Sequence, residues 1–218
     1  MKLDSEKQVR IKRSILFSAC VASVVLLLGS IGCTREKEQS KPTLTNEEKI
    51  ALFKTRRSVR QYQDEMPSKE LLALVTEAGS YAPSGLGKQA AKIVVVTNRA
   101  ERDRLSRLNM NLRGGESDPF YGAPVVIVVL ADKSVPTYLY DGSVVMDNML
   151  NAAHALGLAT CWVHGADVMF ESKEGKQILK QWGIGDNYVG IANCIVGYAA
   201  GEIPQAAPRK ADYIQWVE

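Results

Sequence analysis

Four apolar, strand-like runs at 93–96, 125–130, 159–163 and 191–197 are separated by helical segments, and two further helical segments come before the first of them. The order is therefore helix, helix, strand, helix, strand, helix, strand, helix, strand. One more apolar strand, 213–217, follows a Pro-rich extension. A leading helix pair, with no G-x-G-x-x-G after a strand, argues against a Rossmann fold. An α+β sandwich with a central mixed sheet flanked by helices is expected instead.

Local signals fill in that order. Thr45 with Glu48 makes a capping box that opens a helix over 46–55. Pro67-Ser68 starts a second helix, in which Leu71, Val75, Ala78 and Ala82 fall on one stripe. The uninterrupted run 93–96 reads as a strand buried on both faces. A short polar helix over 100–108 leads to the aperiodic stretch 109–122, with Gly114-Gly115, Pro119, Phe120 and Tyr121. A loop of that length is either a lid or binding segment, or a mobile surface loop. The helix 143–156 is apolar on most of its circumference, which places it at the domain centre or between subunits. Another helix spans 172–182. The strand 213–217 has no local partner, so it is expected to reach the sheet of a second subunit.

The first part of the chain reads separately, as 1–33, a signal peptide or membrane anchor, and 34–45, a polar linker to the domain 46–218. Lys2, Lys7, Arg10, Lys12 and Arg13 precede an uncharged run from Ile15 to Ile31. A basic flank, an apolar stretch and small residues before a break make a secretory signal or an anchor. Ser30-Ile31-Gly32-Cys33 resembles a bacterial lipoprotein cleavage site, with Cys33 as the lipid-bearing residue; an uncleaved helix is the alternative. Either way the basic flank stays inside, and the domain is expected on the extracytoplasmic side of a bacterial cytoplasmic membrane.

Charge narrows the partners. Removing the 8 basic and 4 acidic residues of positions 1–41 from the totals of 27 and 24 leaves 19 and 20, a net of −1. A nucleic-acid footprint needs a basic face on the domain itself, and this balance argues against one. Cys161 and Cys194 lie in separate strand-like runs, and with two His in the whole chain a zinc site is not expected. They read as buried core thiols, with a disulfide between them left open for an exported domain.

The chemistry-bearing stretch is Arg56-Arg57-Ser58-Val59-Arg60, followed by Tyr62. It offers three guanidinium groups and a hydroxyl from a helix end onto an extended segment, where alternate side chains share a face. Arg presents a rigid fork of donors that suits phosphate oxygens, and the Ser58 hydroxyl adds another donor. A second candidate is the small-residue loop Ala82-Pro83-Ser84-Gly85-Leu86-Gly87-Lys88-Gln89, whose main chain can approach a planar or anionic ligand closely.

With these pieces in place, 46–218 resembles the FMN-dependent nitroreductase family. The likeness rests on four blocks in order: Arg56 to Arg60 with Tyr62; Ala82-Pro83-Ser84 with Gln89; Tyr121-Gly122-Ala123-Pro124 before an aliphatic strand; and Gly157-Leu158-Ala159-Thr160-Cys161-Trp162. The resemblance implies a nitroreductase-like sandwich in a domain-exchanging homodimer, with FMN as cofactor. It implies cofactor contacts from Arg56, Arg57, Ser58, Arg60, Pro83, Ser84 and Gln89, from the 163–165 segment of Val163, His164 and Gly165, and from Arg209 and Lys210. The implied reaction passes hydride from NAD(P)H, or another reduced donor, through FMN to a nitroaromatic, quinone or similar small conjugated acceptor. No side chain is assigned as catalytic acid or base, and His164, at a strand end, reads as structural. The family's second block usually carries an Asn where this chain has Gly87, and an aromatic where it has Ala90-Ala91. The alternatives are a membrane-tethered flavin-binding protein without NAD(P)H turnover, and a specialised reductive dehalogenase of the same family.

Overall fold

The capping box forms as expected. The Thr45 hydroxyl accepts from Glu48 N at 3.2 Å while the Glu48 carboxylate accepts from Thr45 N at 2.7 Å, and helix α1 follows over Asn46–Thr55. The computed structural model describes residues 44–218; the apolar run 15–31 and Cys33 lie outside them. The remaining elements are α2 (Lys69–Ser80), a 3-10 turn (Gly85–Gly87), β1 (Ala91–Val96), α3 (Arg99–Leu112), β2 (Val125–Asp132), α4 (Tyr138–Ala155), β3 (Ala159–Val163), α5 (Ala166–Glu171), α6 (Lys173–Gln181) and β4 (Tyr188–Gly197).

The four strands form one sheet in the order β1-β2-β4-β3, with every ladder antiparallel. The expected mixed character survives only in a parallel bridge between Ser58 and Thr160, where Val59 N donates to Thr160 O at 2.9 Å. The short connection from Arg56 to Tyr62 thus runs along the free edge of β3.

Helices cover both faces. Val126, Val128 and Leu130 of β2 pack with Leu105, Met169, Phe170, Ile178 and Leu179 of α3, α5 and α6. Val125, Ile127, Val129 and Ala131 pack with Val75, Val145, Met146, Met149 and Leu150 of α2 and α4. That is the period-two alternation of a strand with a core on each side. β2 is buried from Val125 to Ala131, whereas edge strand β1 leaves Val95 40% exposed. The expectation of 93–96 buried on both faces is therefore corrected: β1 ends the sheet and is incompletely covered.

Helix α2 buries Leu72, Val75 and Gly79 in place of the anticipated stripe through Ala78 and Ala82. The rotation follows from Gly79, whose missing Cβ would stand 2.6 Å from Met149 Cγ, so the helix turns its smallest residue toward α4. Helix α3 runs on to Leu112 because Asn109 is buried and bonded, which shortens the expected 109–122 loop. Helix α5 was not anticipated as separate from α6. The tail 201–218 is exposed throughout and contains no strand, so 213–217 finds no partner within its own protomer.

Candidate functional site

Three of the groups of site residues expected from the sequence line three separate cavities. Arg56 and Arg57 line one of about 210 Å³ with His154, Leu158, Thr160, Ala199 and Ile203. Arg60 lines a second, of about 350 Å³, with Asn109, Arg113, Tyr121, Val163 and His164. Pro83, Ser84 and Gln89 line a third, of about 1050 Å³, with Ile93, Val95 and Asp141.

The first cavity is built where the C-terminal end of α1 meets the start of β3. Arg57 folds back on the helix end, its Nη1 donating to Lys54 O and Arg56 O at 2.7 Å each. That satisfies carbonyls which a helix end leaves unpaired. Its Nε is buried with no partner, and so is the Thr160 hydroxyl across the Ser58–Thr160 bridge. Buried polar groups are nearly always bonded, so these two are exceptions, and both belong to residues that line the cavity. Thr55 holds the lining residue His154: its hydroxyl lies 2.7 Å from Ala51 O and 2.8 Å from His154 Nε2.

The second cavity is shaped by a turn and a brace. Gly165 has φ +104, and a Cβ there would lie 2.7 Å from Arg113 Cδ and 2.9 Å from Asn109 Nδ2. Only glycine fits both the left-handed backbone and the close approach. Asn109 Nδ2 donates to His164 O at 2.9 Å and so holds the 163–165 segment from behind. The Arg60 guanidinium lies 5.9 Å from the centroid of the Tyr121 ring, and Tyr121 itself has φ +53.

The third cavity's loop is held by one buried carboxylate. Asp141, 4% exposed, accepts from Gly85 N at 3.0 Å and from the Thr137 hydroxyl at 3.2 Å. Ser84 Oγ accepts from Gln89 N at 3.0 Å. Leu86, Gly87 and Gln89 all have positive φ, at 51, 68 and 50, so the loop's backbone is bent where the main chain would face a ligand.

Arg209 and Lys210 do not join Arg56 and Arg57 within the protomer. Both stand exposed, and Arg209 Nη1 reaches only Ala207 O, at 3.3 Å. The same tail does pass the first cavity at Ile203. His154, Thr55, Asn109 and Asp141 were not anticipated as site residues. Each acts across a large sequence separation, which no spacing rule captures.

The family model described as "Nitroreductase family" matches residues 53–198. A relative from Methanothermobacter thermautotrophicus that carries the name NADH dehydrogenase/NAD(P)H nitroreductase is 30% identical over 69% of this chain and 77% of its own length. A Bacteroides fragilis nitroreductase solved with bound FMN superposes with a TM-score of 0.74 at 26% identity, over 80% of this chain and 100% of that one. A second, from Desulfitobacterium hafniense and also solved with FMN, gives 0.72 at 28% identity, again over 80% and 100%. From its α+β sandwich to the order of its sequence blocks, the chain belongs to the nitroreductase family.

Proposed function

We propose that this protein is an FMN-dependent oxidoreductase that passes hydride from a reduced donor, NAD(P)H in the first instance, to a small conjugated acceptor such as a nitroaromatic or quinone. The observation that carries the reading is the first cavity. Arg56, Arg57 and Thr160 line it together, Arg57 Nε and Thr160 Oγ1 have no partner within the protein, and guanidinium forks beside a hydroxyl suit phosphate oxygens. Family membership and the FMN-bound relatives support the identity of that phosphate's owner.

When bound, FMN supplies the hydride-accepting and hydride-donating chemistry. Arg56, Arg57 and Ser58 would hold its phosphate. Arg60 and the 163–165 backbone would stand at the ring edge where negative charge grows on reduction, and fixed donors there favour the reduced state. Pro83, Ser84 and Gln89 would wall the ring.

Those wall residues line a different cavity from the cations, so one protomer offers the pieces and a second copy is proposed to complete the slot. Exposed apolar surface supports this. Helix α1 buries none of its residues, leaving Ile50 55% and Phe53 63% exposed, and the tail presents Trp216 at 79% and Val217 at 93%. Edge strand β1, open at Val95, is the proposed seat for the partner's tail. Tethering outside the cytoplasmic membrane through Cys33, or through an uncleaved helix, is likewise proposed, from the sequence of 1–33 alone.

The test is direct. The full-length chain purified in detergent should show the visible flavin band, which NADH or NADPH bleaches under anaerobic conditions. A band that survives both donors overturns the reductase; no band after reconstitution with FMN overturns the flavin reading.

A further inference from the structure

We propose that His154 is part of the phosphate site and takes up a proton when a phosphate monoester binds there, so that this enzyme's grip on FMN is linked to pH. The inference rests on the FMN reading above and adds a residue and a proton to it.

Geometry places the imidazole in the cavity. His154 is half-buried in the last turn of α4 and lines the same 210 Å³ space as Arg56 and Arg57. Its Nε2 lies 2.8 Å from Thr55 Oγ1. Thr55 has one hydroxyl proton; when that proton goes to Ala51 O at 2.7 Å, the 2.8 Å bond is a donation from His154 Nε2–H. In that arrangement the neutral ring carries its proton on Nε2 and leaves Nδ1 as the basic atom. A proton arriving at Nδ1 from bulk water leaves the Thr55 bond intact.

The charges around the ring set the direction of the linkage. Facing it are Thr55 from α1 and Arg56 and Arg57 from the connection beyond it. From the β3 side come Leu158, Ala159 and Thr160, from just beyond β4 Ala199, and from the tail Ile203, all uncharged. On its own helix the nearest acid is Asp147, two turns back, exposed and bonded to Asn151 at 3.0 Å. Burial first, and then the Arg56 and Arg57 charges, hold the imidazole below its ordinary range, which favours the neutral ring where no anion is bound. A phosphate dianion among the same arginines reverses the balance of charge, and the C-terminal end of α4 adds to the preference for a cation. Linkage then requires tighter anion binding as pH falls through the bound-state value.

The full-length protein in detergent is titrated with FMN and with riboflavin, followed by flavin fluorescence, between about pH 8 and about pH 6.5, where imidazole titrates and a phosphate monoester is still mostly dianionic. The wild type should bind FMN about three- to tenfold more tightly at the lower pH, and riboflavin equally at both. His154→Gln should flatten the FMN profile and leave riboflavin affinity unchanged. Parallel FMN profiles for wild type and variant overturn the proposal, and so does an equal loss for both flavins, which marks a structural role. Calorimetry of the wild type in two buffers of different ionisation enthalpy needs no variant: it should read proton uptake with FMN and none with riboflavin. No uptake overturns the proposal while leaving the FMN reading intact. Failure of the wild type to bind either flavin overturns both.

Discussion

Arg102 Nη2 and Asp118 Oδ2 meet at 2.8 Å, with the Arg102 side chain only 4% exposed. The Asp118 carboxylate also accepts from the Ser106 hydroxyl, from Phe120 N at 2.8 Å and from Gly122 N at 2.8 Å. One side chain therefore ties α3 to the turn that brings Tyr121 against Arg60.

Asp118→Asn should cost roughly 1–2 kcal/mol of unfolding free energy in a denaturant titration, because it removes one of the two carboxylates on the buried Arg102 guanidinium, Asp103 at 3.0 Å remaining. Burial pushes the Asp118 carboxyl up, but the bonds from Ser106, Arg102, Gly122 and Phe120 outweigh it and hold the group below its ordinary range. A depressed folded value means the added stability is present above the unfolded value of ~3.9 and is lost as pH falls through the folded one. The gap between wild type and variant should therefore be constant near neutrality and narrow only in acid. A gap that widens in acid would contradict the assignment.

Gly190 of β4 lies under the first turn of α5: a Cβ on it would stand 2.0 Å from Ala166 O and 2.9 Å from Phe170 Cδ2. Backbone cannot give way as a side-chain tip can, so Gly190→Ala should cost about 3 kcal/mol. Since α5 starts directly after the 163–165 segment, the variant should also weaken FMN binding. Unchanged stability would mean α5 sits further from β4 than described.

Cys161 pairs in register with Ile195, and Cys194 with Trp162, so adjacent strands send the two thiols to opposite faces of the sheet. A disulfide between them, open on sequence grounds, is closed off by this geometry. Burial pushes the Cys194 thiol up to about 12, which leaves almost no thiolate near neutrality. Alkylation mapped by mass should find both residues protected in the native protein and labelled after denaturation. A native peptide cross-linking 161 to 194 would refute the register.

What the sequence disclosed and what it withheld divide along sequence separation. The Thr45–Glu48 cap and the run 125–130 depend on neighbours within a few residues, and both form where expected. Val95 looked as buried as Val128 because hydropathy does not say which strand ends a sheet. Helix α5 is six residues long, too short to show a period, and α3 gained a turn from Asn109 reaching the His164 carbonyl 55 residues away. At the site, contiguous blocks such as Arg56 to Arg60 were legible. The residues that brace them, Asp118, Asp141 and His154, were not, since only the folded chain brings them alongside.

Gly87 has φ +68 and open space around its Cβ position, a left-handed conformation that Asn tolerates far better than β-branched residues. This accounts for a Gly at a position where an Asn is expected from the resemblance. Gly87→Asn should change stability by less than about 1 kcal/mol, whereas Gly87→Val should cost roughly 1–2 kcal/mol. On the proposed reading, the new amide alters the KM for the acceptor and leaves FMN affinity unchanged. Steady-state kinetics beside a flavin titration separate the two effects.

The tail supplies the sharpest test of assembly. Tyr213, Ile214, Trp216 and Val217 are 73%, 72%, 79% and 93% exposed, so they contribute almost nothing to their own protomer. Each large apolar side chain buried on association would add about 1.5–3 kcal/mol before the cost of ordering the tail is deducted. Deleting 212–218 keeps Arg209 and Lys210 and should leave the melting of the protomer nearly unchanged. On the proposed assembly it should raise the dimer dissociation constant by at least about a hundredfold, since every 1.4 kcal/mol is tenfold. Sedimentation of the full-length and shortened chains in the same detergent reads this directly. If both dimerise equally, the tail is not the element exchanged between subunits, and the exposed face of α1 must carry the association alone.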